Sequence, residues 1–162
     1  MSHPRTVLSL PSSDATCALA RALGARLVPG DVLLLAGGIG AGKTHFARCL
    51  IQSLQDLPED VPSPTFTLVQ VYDTRAGELW HADLYRLSSA DQCDELGLAD
   101  AFETAICVVE WPDRMADLAP DGALSLDFSM PGDAQSPDLR QIAFDWTAPR
   151  WDGVLDSVAA TS

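Results

Sequence analysis

Gly37-Gly38-Ile39-Gly40-Ala41-Gly42-Lys43-Thr44 has the spacing G-x-x-x-x-G-K-[ST] of a phosphate-cradling loop. Each residue type has a task in that chemistry. Glycines let the backbone turn tightly and aim successive N–H groups at one anion. The helix that follows adds the partial positive charge of its N-terminus. Gly40, Ala41 and Gly42 would line the phosphate cradle, Lys43 would reach the β- and γ-phosphates, and the Thr44 hydroxyl would complete a Mg²⁺ shell. Lys43 is the only lysine, and the other nine basic residues are arginine. A sequence that uses arginine elsewhere has kept a compact point charge at this one position.

Further residues join this loop by position. Glu110 ends the apolar run Ile106-Cys107-Val108-Val109, where a Walker B carboxylate stands on a nucleotide-binding sheet. Ligands of open α/β sheets bind beyond the carboxyl ends of the strands. Leu79-Trp80-His81-Ala82-Asp83 alternates, which puts His81 and Asp83 on one strand face. Asp83 would be a second Mg²⁺ or water-positioning carboxylate, and His81 a structural residue or hydrogen-bond partner. Ser63 to Thr67 occupies the place of a γ-phosphate-sensing segment, with Thr65 or Thr67 as the sensor. Arg86 is a candidate transition-state cation, or one half of a structural ion pair. Lys43, Asp83 and Glu110 make up the expected catalytic set, and Thr44 and Glu110 the expected metal ligands.

These residues need a frame. Thr6 to Leu10 reads as a strand, and Asp14 to Val28 as a helix capped by Ser12 or Ser13. Asp31 to Ala36 is a continuous apolar run, hence a strand buried on both faces, and Lys43 to Leu54 is an amphipathic helix. Three prolines make Asp56 to Pro64 irregular. Thr65 to Asp73 and Glu78 to Leu84 form a hairpin, Ser88 to Leu98 a short helix, and Ala105 to Val109 a second central strand. Trp111 to Leu118 is irregular or a helical turn. Ala123 to Phe128 and Arg140 to Trp146 are strands, Pro149 to Ala159 is a terminal helix, and residues 160–162 are frayed. The expectation is a three-layer α/β domain spanning residues 1–162, a P-loop NTPase fold with a mostly parallel sheet and antiparallel additions.

Composition narrows the function. The chain has 162 residues, 47% of them hydrophobic, which suits one domain with its own core. No run approaches the length of a membrane span, and the N-terminus lacks the pattern of a signal peptide. With 23 acidic against 10 basic residues the net charge is −13, unsuited to a strong direct grip on DNA or RNA. Cys17, Cys49, Cys93 and Cys107 form no C-x-x-C pair and read as separate small core residues in a reducing cytosol. A single lysine rules out the N-K-x-D element with which GTPases read guanine. No two adjacent arginines follow the P-loop helix, which disfavours the arginine-bearing lid of a small-molecule kinase.

As an ordered set, Gly40-Ala41-Gly42-Lys43-Thr44, Ser63-Pro64-Thr65-Phe66-Thr67-Leu68-Val69, the H-x-D-L-Y-R-L run from His81 to Leu87, and Val109-Glu110-Trp111-Pro112 resemble the bacterial TsaE (YjeE) family. These are small ATPase subunits of the tRNA threonylcarbamoyladenosine machinery. The resemblance spans roughly Leu10 to Pro112. It implies ATP or ADP bound with Mg²⁺ at Thr44 and Glu110, a functional Asp83, and work with the TsaB and TsaD subunits in the cytoplasm. It also implies an adenine site near Pro11 to Ser13, hence Ser12 and Ser13. The family commonly has an acidic residue at the position of Gly38, and a Ser or Thr that meets the α-phosphate at the position of His45. The resulting expectation is an ATPase that is slow alone and stimulated by its partners. The alternatives are a small-molecule kinase and a nucleotide-sensing module without turnover.

Overall fold

Apolar runs flanked by turn residues become the middle of one seven-stranded sheet. The computed structural model describes residues 5–38, 40–57, 68–87, 92, 95–131, 135 and 137–161. Strands β1 (Arg5–Leu10), β2 (Val32–Gly37), β3 (Val69–Thr74), β4 (Gly77–Asp83), β5 (Ile106–Glu110), β6 (Leu124–Ser129) and β7 (Arg140–Asp145) stand in the order β1-β7-β6-β2-β5-β4-β3. The central four, β6-β2-β5-β4, are mutually parallel. The β3–β4 hairpin adds an antiparallel edge on one side, and β7 and β1 add antiparallel pairings on the other. The expected mixed, centrally parallel α/β sheet is the one adopted.

Alternation along the buried strands divides the core in two. Leu33 and Leu35 face helices α1 (Ser13–Gly24), α2 (Lys43–Ser53) and α4 (Arg150–Thr161). Val32 and Leu34 face the opposite way, toward α3 (Leu98–Thr104) and a 3-10 helix, Pro112–Leu118. Both layers are apolar, and each fully buried Leu contributes roughly 1.5–3 kcal/mol. Because β2 and β5 are parallel neighbours with Leu35 opposite Glu110, the P-loop and the end of β5 emerge side by side. The chain then crosses from β5 to β6 on the far side of β2, and this change of side opens a crevice at the carboxyl ends.

The structure moves several sequence boundaries. Helix α1 stops at Gly24 rather than Val28, because the chain must turn there to bury Leu27. The turn is closed by Arg26 N–H to Leu23 O and by Leu27 N–H to Gly24 O. The expected helix over Ser88 to Leu98 falls largely outside the described residues. Within it Gln92 and Glu95 are helical and Leu96 N–H bonds to Gln92 O, and the structure adds α3 over Leu98–Thr104, an element that the apolar periodicity did not announce. It is one short helix that turns only Leu98 and Ala101 fully into the core. Strand β3 begins at Val69, and residues 65–67 of the longer strand expected there lie outside the described set. Helix α4 runs on through Thr161.

The cysteines also need correcting. Packing of α1 against α2 brings Cys17 and Cys49 together, 32 residues apart in sequence, with their Cα atoms 5.3 Å apart, and they are joined as a disulfide. They are therefore not separate thiols, and the compartment inferred from scattered thiols loses that support. Cys107 is free and buried, its pKa pushed up to about 12 by desolvation and, secondarily, by the charge of Glu78. Cys93 lies outside the described residues.

Candidate functional site

The loop from β2 to α2 owes its shape to its glycines. Gly37, Gly40 and Gly42 all have positive φ, and Gly42 caps α2 in the left-handed conformation. A Cβ at Gly37 would lie 2.5 Å from the carbonyl oxygen of Phe128 on the neighbouring strand, so no side chain fits there. Gly38 meets nothing within 4 Å, and the acidic residue usual in the resembled family would project into open space. Ala41 is buried at the base of the loop, and Gly40 is exposed at its tip.

Lys43, at the start of α2, is 5% exposed. Its Nζ donates to Gly37 O at 2.7 Å and Gly38 O at 2.9 Å, and sits 4.3 Å from the ring centroid of Trp111. Burial lowers its pKa, and the charges of Glu110 and then Asp83 oppose that shift. The next residue, Thr44, donates from Oγ1 to Glu110 Oε1 at 2.7 Å. Sequence reasoning passed over Trp111 as a site residue, although it follows Glu110 directly. It takes a positive φ of 60°, a strained conformation for a large side chain, and lays its ring against both Lys43 and Tyr85.

Parallel pairing sets Asp83 of β4 beside Glu110 of β5. A backbone bond from Leu84 N–H to Glu110 O ties the two strand ends together. His81 and Asp83 share a face with Leu79, which packs in the layer of α1 and α2, so both point to the P-loop side. Asp83 is 6% exposed, and its Oδ1 accepts from Tyr85 N–H at 3.0 Å. Desolvation raises its pKa. The Tyr85 N–H works against that shift, Glu110 reinforces it, and His81 and Lys43 oppose it. His81 is fully buried, with Nε2 2.7 Å from Glu110 Oε2.

A raised carboxylate pKa carries a definite sign. Above its folded pKa the ionised Asp83 costs the native state its desolvation. Below the ordinary carboxylate range, about 4, both states are protonated and that cost is gone. Asp83→Asn keeps the acceptor for Tyr85 N–H. It is expected to stabilise the metal-free chain at neutral pH, read as a rise in melting temperature. The gain should fade on acidification. Thermal melts in EDTA across that range check this, and a gain that grows toward acid contradicts it.

The remaining expected site residues fall into two groups. Ser12 is the N-cap of α1, its Oγ accepting from Ala15 N–H at 3.1 Å, and Ser13 is the first helical residue. His45 reaches across from α2 and donates from Nε2 to Ser13 O at 3.1 Å, which joins the P-loop helix to the start of α1. Thr65 and Thr67 lie outside the described residues. Arg86 is exposed in the turn after β4. Lys43, Thr44, Asp83 and Glu110 are thus gathered at one end of the sheet, and Ser12, Ser13 and His45 form a second set beside the same helix.

The donor chemistry at this end suits a hard cation. Thr44 Oγ1 and Glu110 Oε1 are oxygen donors 2.7 Å apart, of the kind Mg²⁺ takes while keeping waters and phosphate oxygens as its other ligands. Among the described residues no group of three or more His, Cys, Asp or Glu stands at metal-binding distance, so no all-protein metal cage is built there.

Comparison with known proteins places the chain in a family. A family model described as "Threonylcarbamoyl adenosine biosynthesis protein TsaE" matches residues 10–139. A Rickettsia bellii protein named tRNA threonylcarbamoyladenosine biosynthesis protein TsaE is 34% identical over 130 residues, 80% of this chain and 89% of that one. A Bacillus subtilis protein of the same name is 33% identical over 147 residues, 90% of this chain and 89% of its own. The crystal structure of YdiB from the same species aligns with a TM-score of 0.77 at 26% identity, covering 99% of this chain and 97% of that one. The family model over residues 10–139 and relatives at 33–34% identity across most of both chains show that the chain belongs to the TsaE family.

Proposed function

We propose that the chain is a Mg²⁺-dependent ATPase that supports threonylcarbamoyladenosine formation on tRNA in the cytoplasm, working with TsaB and TsaD. The observation that carries this reading is the contact between Thr44 Oγ1 and Glu110 Oε1 beside a buried Lys43. The names of its relatives supply the pathway.

The chain's own groups divide the work. The first N–H groups of α2 have no carbonyl within the helix and point at the loop, where the β-phosphate would rest. Lys43 holds its charge against two loop carbonyls and would transfer it to the β- and γ-phosphate oxygens. Mg²⁺ held at Thr44 and Glu110 would neutralise charge on the transferred phosphoryl oxygens. Asp83 stands beside Glu110 to accept a hydrogen bond from the attacking water. Ser12, Ser13 and His45 border the nucleoside side. The chain's net charge suits a subunit that drives a complex through ATP turnover while its partners hold the tRNA.

Arg86 is exposed and the site holds one lysine, so the transition-state cation would come from a partner or from a rearranged Arg86. P-loop proteins gain about 10³- to 10⁵-fold when such a cation is supplied. The test is phosphate release by the purified chain with and without TsaB and TsaD, alongside threonylcarbamoyl transfer to tRNA. Slow turnover alone and stimulation by the pair are expected. Fast turnover unchanged by the partners overturns the reading, and so does nucleotide binding without any turnover.

A further inference from the structure

His81 has no place in a plain core. It is 0% exposed, its strand neighbours Leu79 and Ala82 are buried and apolar, and it lies in register with Val108. Burying an imidazole costs desolvation unless a partner repays it. The repayment visible among the described residues is the bond of Nε2 to Glu110 Oε2, since Nδ1 has no hydrogen-bond partner there. A carboxylate oxygen only accepts, so His81 donates from Nε2. Glu110 is thereby held from two elements: Oε1 by Thr44 on α2, and Oε2 by His81 on β4.

We propose that His81 is a positioning residue that fixes the Glu110 carboxylate for cation binding. This rests on the proposed role of Glu110 at Mg²⁺. The two contacts are not equivalent. A cation at the mouth would draw on the Thr44 hydroxyl oxygen and Glu110 Oε1 together, which competes with the bond between them. The bond to Oε2 lies on the other side of the carboxylate and survives. It is then the side-chain contact that stops Glu110 from rotating out of line. Residues that hold a metal-ligating side chain from behind typically contribute 10- to 100-fold to metal affinity.

The test reads binding rather than turnover. Affinity for ADP is measured by calorimetry in Mg²⁺ and in EDTA for each variant, and the ratio of the two affinities reports the cation's contribution. Wild type should bind more tightly with Mg²⁺. His81→Leu fills the space without a donor. It should lower the ratio about tenfold while leaving affinity in EDTA within about threefold of wild type. His81→Gln, whose amide N–H can reach Glu110 Oε2, should recover most of the ratio. His81→Asn, with a shorter reach, should not. If His81→Leu does not fold, the Gln and Asn variants decide between themselves, and equal ratios overturn the proposal. An unchanged ratio in a folded His81→Leu overturns it as well, while the reading of Glu110 stands. A wild-type ratio of one overturns both.

Discussion

Lys43→Ala is expected to weaken ATP binding about 100-fold, roughly 2.8 kcal/mol, without unfolding the chain. The size follows from what the side chain gives up. Its ammonium is buried, sits over the Trp111 ring, and is held by two loop carbonyls that a bound phosphate would replace as acceptors. Charge-assisted bonds to phosphate in a water-poor cleft are among the strongest a protein makes. The fold should survive. Burial disfavours the charged lysine, as the direction of its pKa shift shows, so its removal relieves a cost. Lys43→Arg should not restore binding, because a planar fork cannot occupy a slot between Gly37 O and Gly38 O shaped for a point charge. Calorimetry with ATP, paired with a thermal melt, checks all three statements. Equal affinity in wild type and Lys43→Ala would sink the P-loop reading.

Glu110→Gln should separate binding from chemistry. The amide preserves the shape of the side chain and an acceptor for Thr44 Oγ1, yet it removes the charge that faces the cation. Turnover should fall about 10²- to 10³-fold, near 3–4 kcal/mol of activation free energy, with ATP affinity changed less than about tenfold. The asymmetry arises because the loop amides and Lys43 supply most of the grip on phosphate, whereas Glu110 acts on metal and water placement. Single-turnover phosphate release at saturating ATP, with affinity measured in parallel, tests this. Wild-type turnover in Glu110→Gln would leave Glu110 a strand-end carboxylate that only ties His81 to Thr44.

Much of this site was legible before any fold was known. The glycine spacing around Lys43 dictates a left-handed turn and a helix start, because only glycine takes those φ values cheaply. Glu110 was legible because a continuous apolar run ended on a charge, although the structure keeps that carboxylate buried and satisfies it with Thr44 and His81. Alternation placed His81 and Asp83 on one face, as β4 confirms. The same alternation could not say which face. A two-residue period is blind to whether the odd or the even positions meet α2.

Local sequence therefore determined the loop, the buried central strands and the residue types able to handle phosphate and a hard cation. These depend on backbone preference and on the burial of neighbouring side chains. Only the tertiary structure decided that β5 lies directly beside β2 and β4 beside β5. Strand order is set by which apolar faces pack across the whole sheet, and no local pattern encodes it. That order turns Glu110 into the shared partner of Thr44 and His81, residues 66 and 29 positions away. It also pairs Cys17 with Cys49, because two helices must lie side by side to cover one face of the sheet. The short α3, with two core-facing residues, is held by its packing against that sheet rather than by helix propensity of its own.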